Sequence, residues 1–319
     1  SMTPYAHPIM PLLLDIETAR DAMPGISMPQ LAQYPGGEER VDWHLREGLD
    51  TFEQYFGKRP TGCWPSEGGV SAAALHKLEQ HGFSWAASGE SVYRHSQANN
   101  ENKLLSGCSL YQGFTVAGGK LACFFRDDGL SDLIGFTYSD WHADDAVGNL
   151  IDHLENIAAS SRDQDKPLVS IILDGENAWE HFPENGYYFL NTLYQRLSEH
   201  PGLRMTTYSE YLSESHRLPN IKRMVSGSWV YGTFSTWIGE EEENRAWDYL
   251  ATTRGFLQKF ITGSRQGTVS EEALNAAMAA MMIGEGSDWF WWYGSDQTSS
   301  DDRSFDEQYR NSLKQVYLA

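Results

Sequence analysis

Strand and helix patterns take turns along the first two-thirds of this chain, and that alternation admits few folds. Short apolar runs at residues 9–14, 61–64, 83–87, 121–125, 168–173 and 204–207 read as strands. Amphipathic stretches separate them. In one, Val41, Leu45, Leu49, Phe52 and Phe56 share a helical face that Gly57 ends. In the next, Ser71 caps a helix that stops at Gly82. Helices are also expected at residues 144–159 and 187–200. Connections of this kind let each strand run parallel to the last, so an α/β sheet or barrel is predicted. The run LVSIIL, residues 168–173, is aliphatic enough to be a strand covered on both faces. After about residue 217 only helical periodicity remains, at residues 240–260, 270–283 and 304–317.

Charge removes several classes of partner. There are 24 basic residues against 44 acidic ones, a net charge of -20. Nucleic-acid affinity comes from lysine and arginine neutralising phosphate, so no nucleic acid is expected, and no anionic membrane surface. No apolar run approaches the ~20 residues that span a bilayer. No basic-then-apolar leader opens the chain, so a cytoplasmic location is the expectation. Cys63, Cys108 and Cys123 form no CxxC pair and read as buried, reduced thiols. No HExxH spacing occurs among the ten histidines, so neither a metal nor a cofactor is expected.

In parallel α/β proteins the reactive groups gather where strands end. Two carboxylates stand there: Glu67 in GCWPSEGG and Asp174 in IILDGENAWE. A pair of carboxylates from different strand ends is what glycoside hydrolysis uses, one to attack or stabilise the anomeric carbon and one to protonate the leaving oxygen. A lone Asp-Gly is most often a plain turn. The surrounding rings weigh the other way: Trp64, Trp179 and the run Trp289, Phe290, Trp291, Trp292, Tyr293. Aromatic faces stack on sugars. Five consecutive rings cannot all face one way, so some are expected to line a cleft.

Five strings now carry a family resemblance: GCWPSEGGVSAAALHKLEQHGFSWAA, FFRDDGLSDLIGF, IILDGENAWEHFPENGYYFLNTLYQRL, FSTWIGEEEENRAWDYL and EGSDWFWWYG. They resemble glycoside hydrolase family 57, the amylase, amylopullulanase and glucanotransferase-type enzymes acting on α-glucans. The resemblance runs from about Thr3 to Tyr317. It implies an incomplete (β/α)7-type barrel followed by a helical region. Residues 1–216 would form the catalytic barrel part, and residues 217–319 the helical region that brings aromatic residues to the cleft. It makes Glu67 the implied nucleophile, Asp174 the acid/base, and Asp288 and Trp291 part of the sugar site. The implied chemistry is retaining cleavage of α-1,4-glucans through a glycosyl-enzyme, with transfer to another sugar as a variant.

The family's opening H-x-Q-P string is not found. The chain starts TPYAHPIMPLLLD, similar to a later segment of longer members, so the first strand region is expected to be missing. An open barrel edge makes a homodimer an expectation. Asp128 stands where many relatives carry histidine. His7, in YAHP, is a candidate for holding a sugar hydroxyl, and so is His181 beside Trp179 and Glu180; Glu176 shares that loop. Two other readings stay open. One is a non-catalytic glucan-binding relative. The other, on the strength of Arg126–Asp127–Asp128–Gly129, is a metal-dependent polysaccharide deacetylase, although His142 and His153 have the wrong spacing for its ligands.

Overall fold

The computed structural model describes residues 1–99, 109–162, 166–175, 179–214, 217–297 and 301–319. Cys108 and Glu176 lie outside the described residues. Among the described residues there are five short strands: β1 (Gly62–Cys63), β2 (Trp85–Ser88), β3 (Thr115–Val116), β4 (Ala122–Phe125) and β5 (Asn220–Ile221). The first, second and fourth form a parallel sheet in the order β1-β2-β4, and β3 pairs with β5, also parallel. Met2 extends the sheet beyond β1. Its N–H donates to the Gly62 carbonyl at 3.1 Å, and its own carbonyl accepts from Trp64 at 2.9 Å. The row Met2–β1–β2–β4 therefore points one way, and its carboxyl ends share one edge.

Helices cover this sheet as their periodicity dictates. Gly37–Phe56 buries Val41, Leu45 and Leu49, while Phe56 at its end is exposed. Gly57, at φ 68°, closes it by donating to the Glu53 carbonyl. Ala72–Gln80 starts where the Ser71 hydroxyl accepts from Ala74 N–H, and Glu271–Gly284 starts the same way at Ser270. Ala143–Ser160 and Tyr187–Ser198 pack a separate small core with Leu130, Ile134, Tyr138 and Phe182. The large core is continuous from Met2 through the sheet to Tyr309, Leu313 and Val316 on the last helix, Asp302–Leu318. No helix among the described residues is long and apolar enough to cross a membrane.

Three expected strands are corrected. Residues 9–14 hold a helix, Met10–Leu14, with Pro11 in its first turn. Ile9, Met10, Leu12 and Leu13 are all buried, so burial alone produced the apolar run and periodicity could not name the element. Residues 204–207 are not a strand. Thr207 instead opens helix Tyr208–Ser213 through a reciprocal capping box with Glu210. Residues 168–173 join no ladder among the described residues. Leu168 N–H donates to the Tyr111 carbonyl, and Asp127 N–H donates to the Ser170 carbonyl. Ile171 is exposed beside a groove of about 1010 Å³ that Leu154, Ile157, Tyr194 and Met205 also line.

One buried ionic knot ties the first long helix to the C-terminal helices. Glu285, 1% exposed, accepts from Tyr34 Oη at 2.5 Å, from Arg40 Nε and Nη2 at 2.9 and 2.8 Å, and from His44 Nε2 at 2.7 Å. Burial alone raises such a carboxyl. The hydrogen bonds of His44 and Arg40, with their charges, override it and hold Glu285 at about 2.

Glu243 is the opposite case. It is fully buried in the first turn of helix Glu241–Ile261, where Oε2 accepts from Glu240 N–H and Oε1 has no hydrogen-bond partner. Burial first, then the nearby Asp296 and Glu240, push it from 4.5 to about 8. A folded value raised in this way gives stability that is whole below 4.5 and is lost as pH rises through about 8. Glu243→Gln keeps the acceptor for Glu240. It should be near neutral at pH ~5 and should raise the urea midpoint at pH ~9. Equal effects at both pH values would refute this.

Candidate active site

The loop after β1 is bent to present one carboxylate. Ser66–Gly68 is a tight turn in which Glu67 takes φ 54°, ψ 29°, a left-handed conformation uncommon for a residue with a side chain. Gly68 follows at φ 57°, and a Cβ there would come within 2.8 Å of the Trp64 ring. The turn is held by Trp229 at two points. Trp229 Nε1 donates to Glu67 Oε2 at 2.9 Å, and Trp229 N–H donates to the Glu67 carbonyl at 3.1 Å. The Trp64 and Trp229 rings meet edge to face at 5.1 Å. At the end of β2, Gly89 leaves room for this arrangement, since a Cβ would lie 2.6 Å from Trp229 Cα.

A second left-handed segment meets the first. Ala6 and His7 both have φ 56°. The His7 carbonyl accepts from Ser287 N–H at 2.9 Å, and His7 Nδ1 lies 2.7 Å from Ser287 Oγ. The same Nδ1 is 3.9 Å from Glu67 Oε1. His7 therefore faces the carboxylate from the side opposite Trp229's hydrogen bond.

The ends of β2 and β4 complete the edge. The Arg126 guanidinium lies 5.3 Å from the Trp229 ring centre. Its Nη1 pairs with Asp128 at 3.0 Å, its Nη2 with Asp132 at 2.6 Å, and its Nε donates to the Ile172 carbonyl at 2.9 Å. Asp128 N–H donates to Glu90 Oε2 at 3.2 Å. Burial raises the Asp128 carboxyl above its ordinary value although Arg126 opposes it. Asp127 caps the next helix, accepting from Leu130 N–H at 2.9 Å and from Tyr111 Oη at 3.2 Å. The RDDG string thus builds ion pairs and a cap. Among the described residues no three His, Cys, Asp or Glu group so as to hold a metal ion.

The expected residues fall into three sets. His7, Trp64 and Glu67 are joined by the contacts above. Asp174 is exposed, two residues beyond the carbonyl that Arg126 grips. Trp179 is half-buried against Phe182 at 5.4 Å and Phe189 at 6.1 Å, and His181 is exposed beside Glu180. Asp288 is exposed, directly after Ser287, and Trp291 is half-buried at 5.9 Å from Trp237.

The aromatic run does not line a cleft as a block. Phe290 is buried on Trp247 at 4.5 Å, and Trp292 stacks on Phe305 at 5.3 Å. Trp289 Nε1 donates to the Ile283 carbonyl, and Tyr293 Oη donates to Asp306. These rings fasten the C-terminal helices. Sequence reasoning missed Trp229, Ser287 and Glu90, and took Arg126 only as part of the RDDG string. The one available signal was the glycine pair Gly68 and Gly89 at two strand ends, each leaving space for a ring.

Trp229→Phe keeps the edge contact with Trp64 but withdraws the indole N–H. A hydrogen bond to a charged group is worth about 1.5–3 kcal/mol, so kcat should fall ~10- to 150-fold with KM little changed. An unchanged kcat would mean that the bond does not serve Glu67.

The sequence matches the model of Glycosyl hydrolase family 57 over residues 1–225. No curated protein matches it. Among solved structures the fold is similar to the GH57-type branching enzyme of the archaeon Pyrococcus horikoshii, with a TM-score of 0.70 at 16% identity, over 99% of this chain and 62% of that one. The GH57 branching enzyme of Thermococcus kodakaraensis, in complex with glucose, gives 0.67 at 16% identity over 99% and 63%. The alpha-amylase AmyC of Thermotoga maritima gives 0.65 at 14% identity over 99% and 65%. The chain thus spans less than two-thirds of the length of each.

Proposed function

The chain belongs to glycosyl hydrolase family 57, and from that premise we propose that it cleaves α-1,4-glucans with retention, Glu67 acting as nucleophile and Asp174 as acid/base. The observation that carries the reading is the setting of Glu67. A carboxylate on a strained turn at the carboxyl edge of a parallel sheet, with an indole N–H on one oxygen and a histidine facing the other, is built to be aimed.

The steps follow from the two carboxyl groups. Asp174 gives its proton to the glycosidic oxygen as Glu67 attacks the anomeric carbon. The C–O bond breaks, the leaving sugar departs with that proton, and a glycosyl ester forms on Glu67. Asp174 then takes a proton from the incoming hydroxyl, whose oxygen displaces Glu67. Two inversions restore the α configuration. Water as acceptor gives hydrolysis and a sugar hydroxyl gives transfer. Both outcomes are represented in the names of the similar structures, amylase and branching enzyme. In this reading Trp64, Asp288 and Trp291 flank the bound sugar, and Trp179 and His181 belong to its outer subsites. Residues 1–216 are the catalytic part and 217–319 the helical part, which brings Trp229 and Ser287 to the edge. In this reading the protein is a homodimer.

The exposure of Asp174 favours one competing reading, in which the edge binds glucan without cleaving it. Product analysis on maltoheptaose separates the two. The wild type should release shorter α-glucans, and Glu67→Ala and Asp174→Ala should each lower kcat by ~10³-fold or more. A wild type that binds maltoheptaose but leaves it intact would overturn the catalytic assignment.

A further inference from the structure

The ionic knot at Glu285 and the nucleophile at Glu67 are linked by a short, fully traced path. His44 is wholly buried with Nδ1 2.6 Å from the Tyr5 carbonyl and Nε2 2.7 Å from Glu285 Oε2. Both partners are acceptors, and neither can supply a proton to the ring. The ring is thus held between two acceptors, one at each nitrogen. Tyr5 is clamped a second time, because its N–H donates to the His44 carbonyl at 3.1 Å.

Two residues on, His7 is clamped from the other side of the knot. Glu285 is followed by Gly286, where a Cβ would come within 3.0 Å of the Ala6 carbonyl, and by Ser287, which grips His7 at both its carbonyl and Nδ1. The left-handed pair Ala6–His7 is thus held between His44 and residues 286–287, and both clamps are anchored at one carboxylate. His7 then faces Glu67 Oε1 at 3.9 Å.

We propose that Arg40, His44, Glu285 and Ser287 form a positioning relay that sets where His7 stands against the Glu67 carboxylate. None of the four is assigned a contact with the sugar. Arg40, which donates twice to Glu285, and His44 fix the carboxylate; Glu285 fixes the turn that bears Ser287; Ser287 fixes the ring. The relay deepens the function proposed above and rests on it for its kinetic effect, but its geometric part does not.

Two measurements test it on the full chain. The first is NMR of protein labelled with nitrogen-15 in histidine. The His7 ring resonances should shift in Glu285→Gln. His7 resonances that stay put in a folded Glu285→Gln would overturn the relay.

The second is kinetics on maltoheptaose. Ser287→Ala leaves the knot intact and should lower kcat about tenfold with KM within about twofold. The double variant His7→Gln/Ser287→Ala should be no slower than His7→Gln, because Ser287 acts only through the ring. Glu285→Asp, which keeps the charge, should retain more kcat than Glu285→Gln. Losses that multiply in the double variant would overturn the relay. A wild type inert on maltoheptaose with the expected His7 shift would instead sink the glycosidase reading and leave the relay standing.

Discussion

Much of this molecule depends on one carboxylate that water never reaches. Glu285 is buried with Arg40, His44 and Tyr34 around it, and the Arg40 guanidinium also lies 4.5 Å from the Trp43 ring. Taking these charges out of water costs several kcal/mol per ion, and only complete hydrogen bonding offsets it. Such a knot adds little net stability over an apolar core. What it provides is register: removing one partner leaves a buried charge alone, at a cost of about 3–5 kcal/mol. The first long helix can therefore meet the C-terminal helices in one way only. The turn from Gly286 to Asp288 and the segment from Tyr5 to His7 inherit that position.

The candidate site is assembled on the same principle, with constraint placed on backbone and openness left at the edge. Glu67, Ala6 and His7 all sit in left-handed conformations that cost of order 1–3 kcal/mol each. They persist because Trp229, Ser287 and His44 over-determine them. Asp174 differs. It follows a segment fixed at single hydrogen bonds rather than by a ladder, and it faces solvent.

Helices were legible because burial and local periodicity agree in them. The i, i+4, i+8 spacing of Val41, Leu45 and Leu49, and the caps Ser71 and Ser270, fixed their elements closely. Strands were legible where a ladder forms: the expected runs 61–64, 83–87 and 121–125 overlap β1, β2 and β4. The run at 168–173 has the composition of a buried strand, yet it joins no ladder and Ile171 is exposed. The aromatic run 289–293 was similarly ambiguous, since an interior helix contact and a sugar platform draw on the same residues. Glu67 stands just past the end of β1, where the sequence pattern put it, and the fold brings His7 to within 3.9 Å of it.

By itself, the sequence determined the mixed α/β character of the chain and the family to which it belongs. Both are written in local periodicity and contiguous strings. Only tertiary structure decided that Trp229 holds Glu67 from 162 residues away and that Ser287 holds His7 from 280 away. It also decided that Glu285 anchors both. Hydrogen bonds of that kind have no period and no preferred composition, and they exist only once the core has brought distant segments within 3 Å of each other.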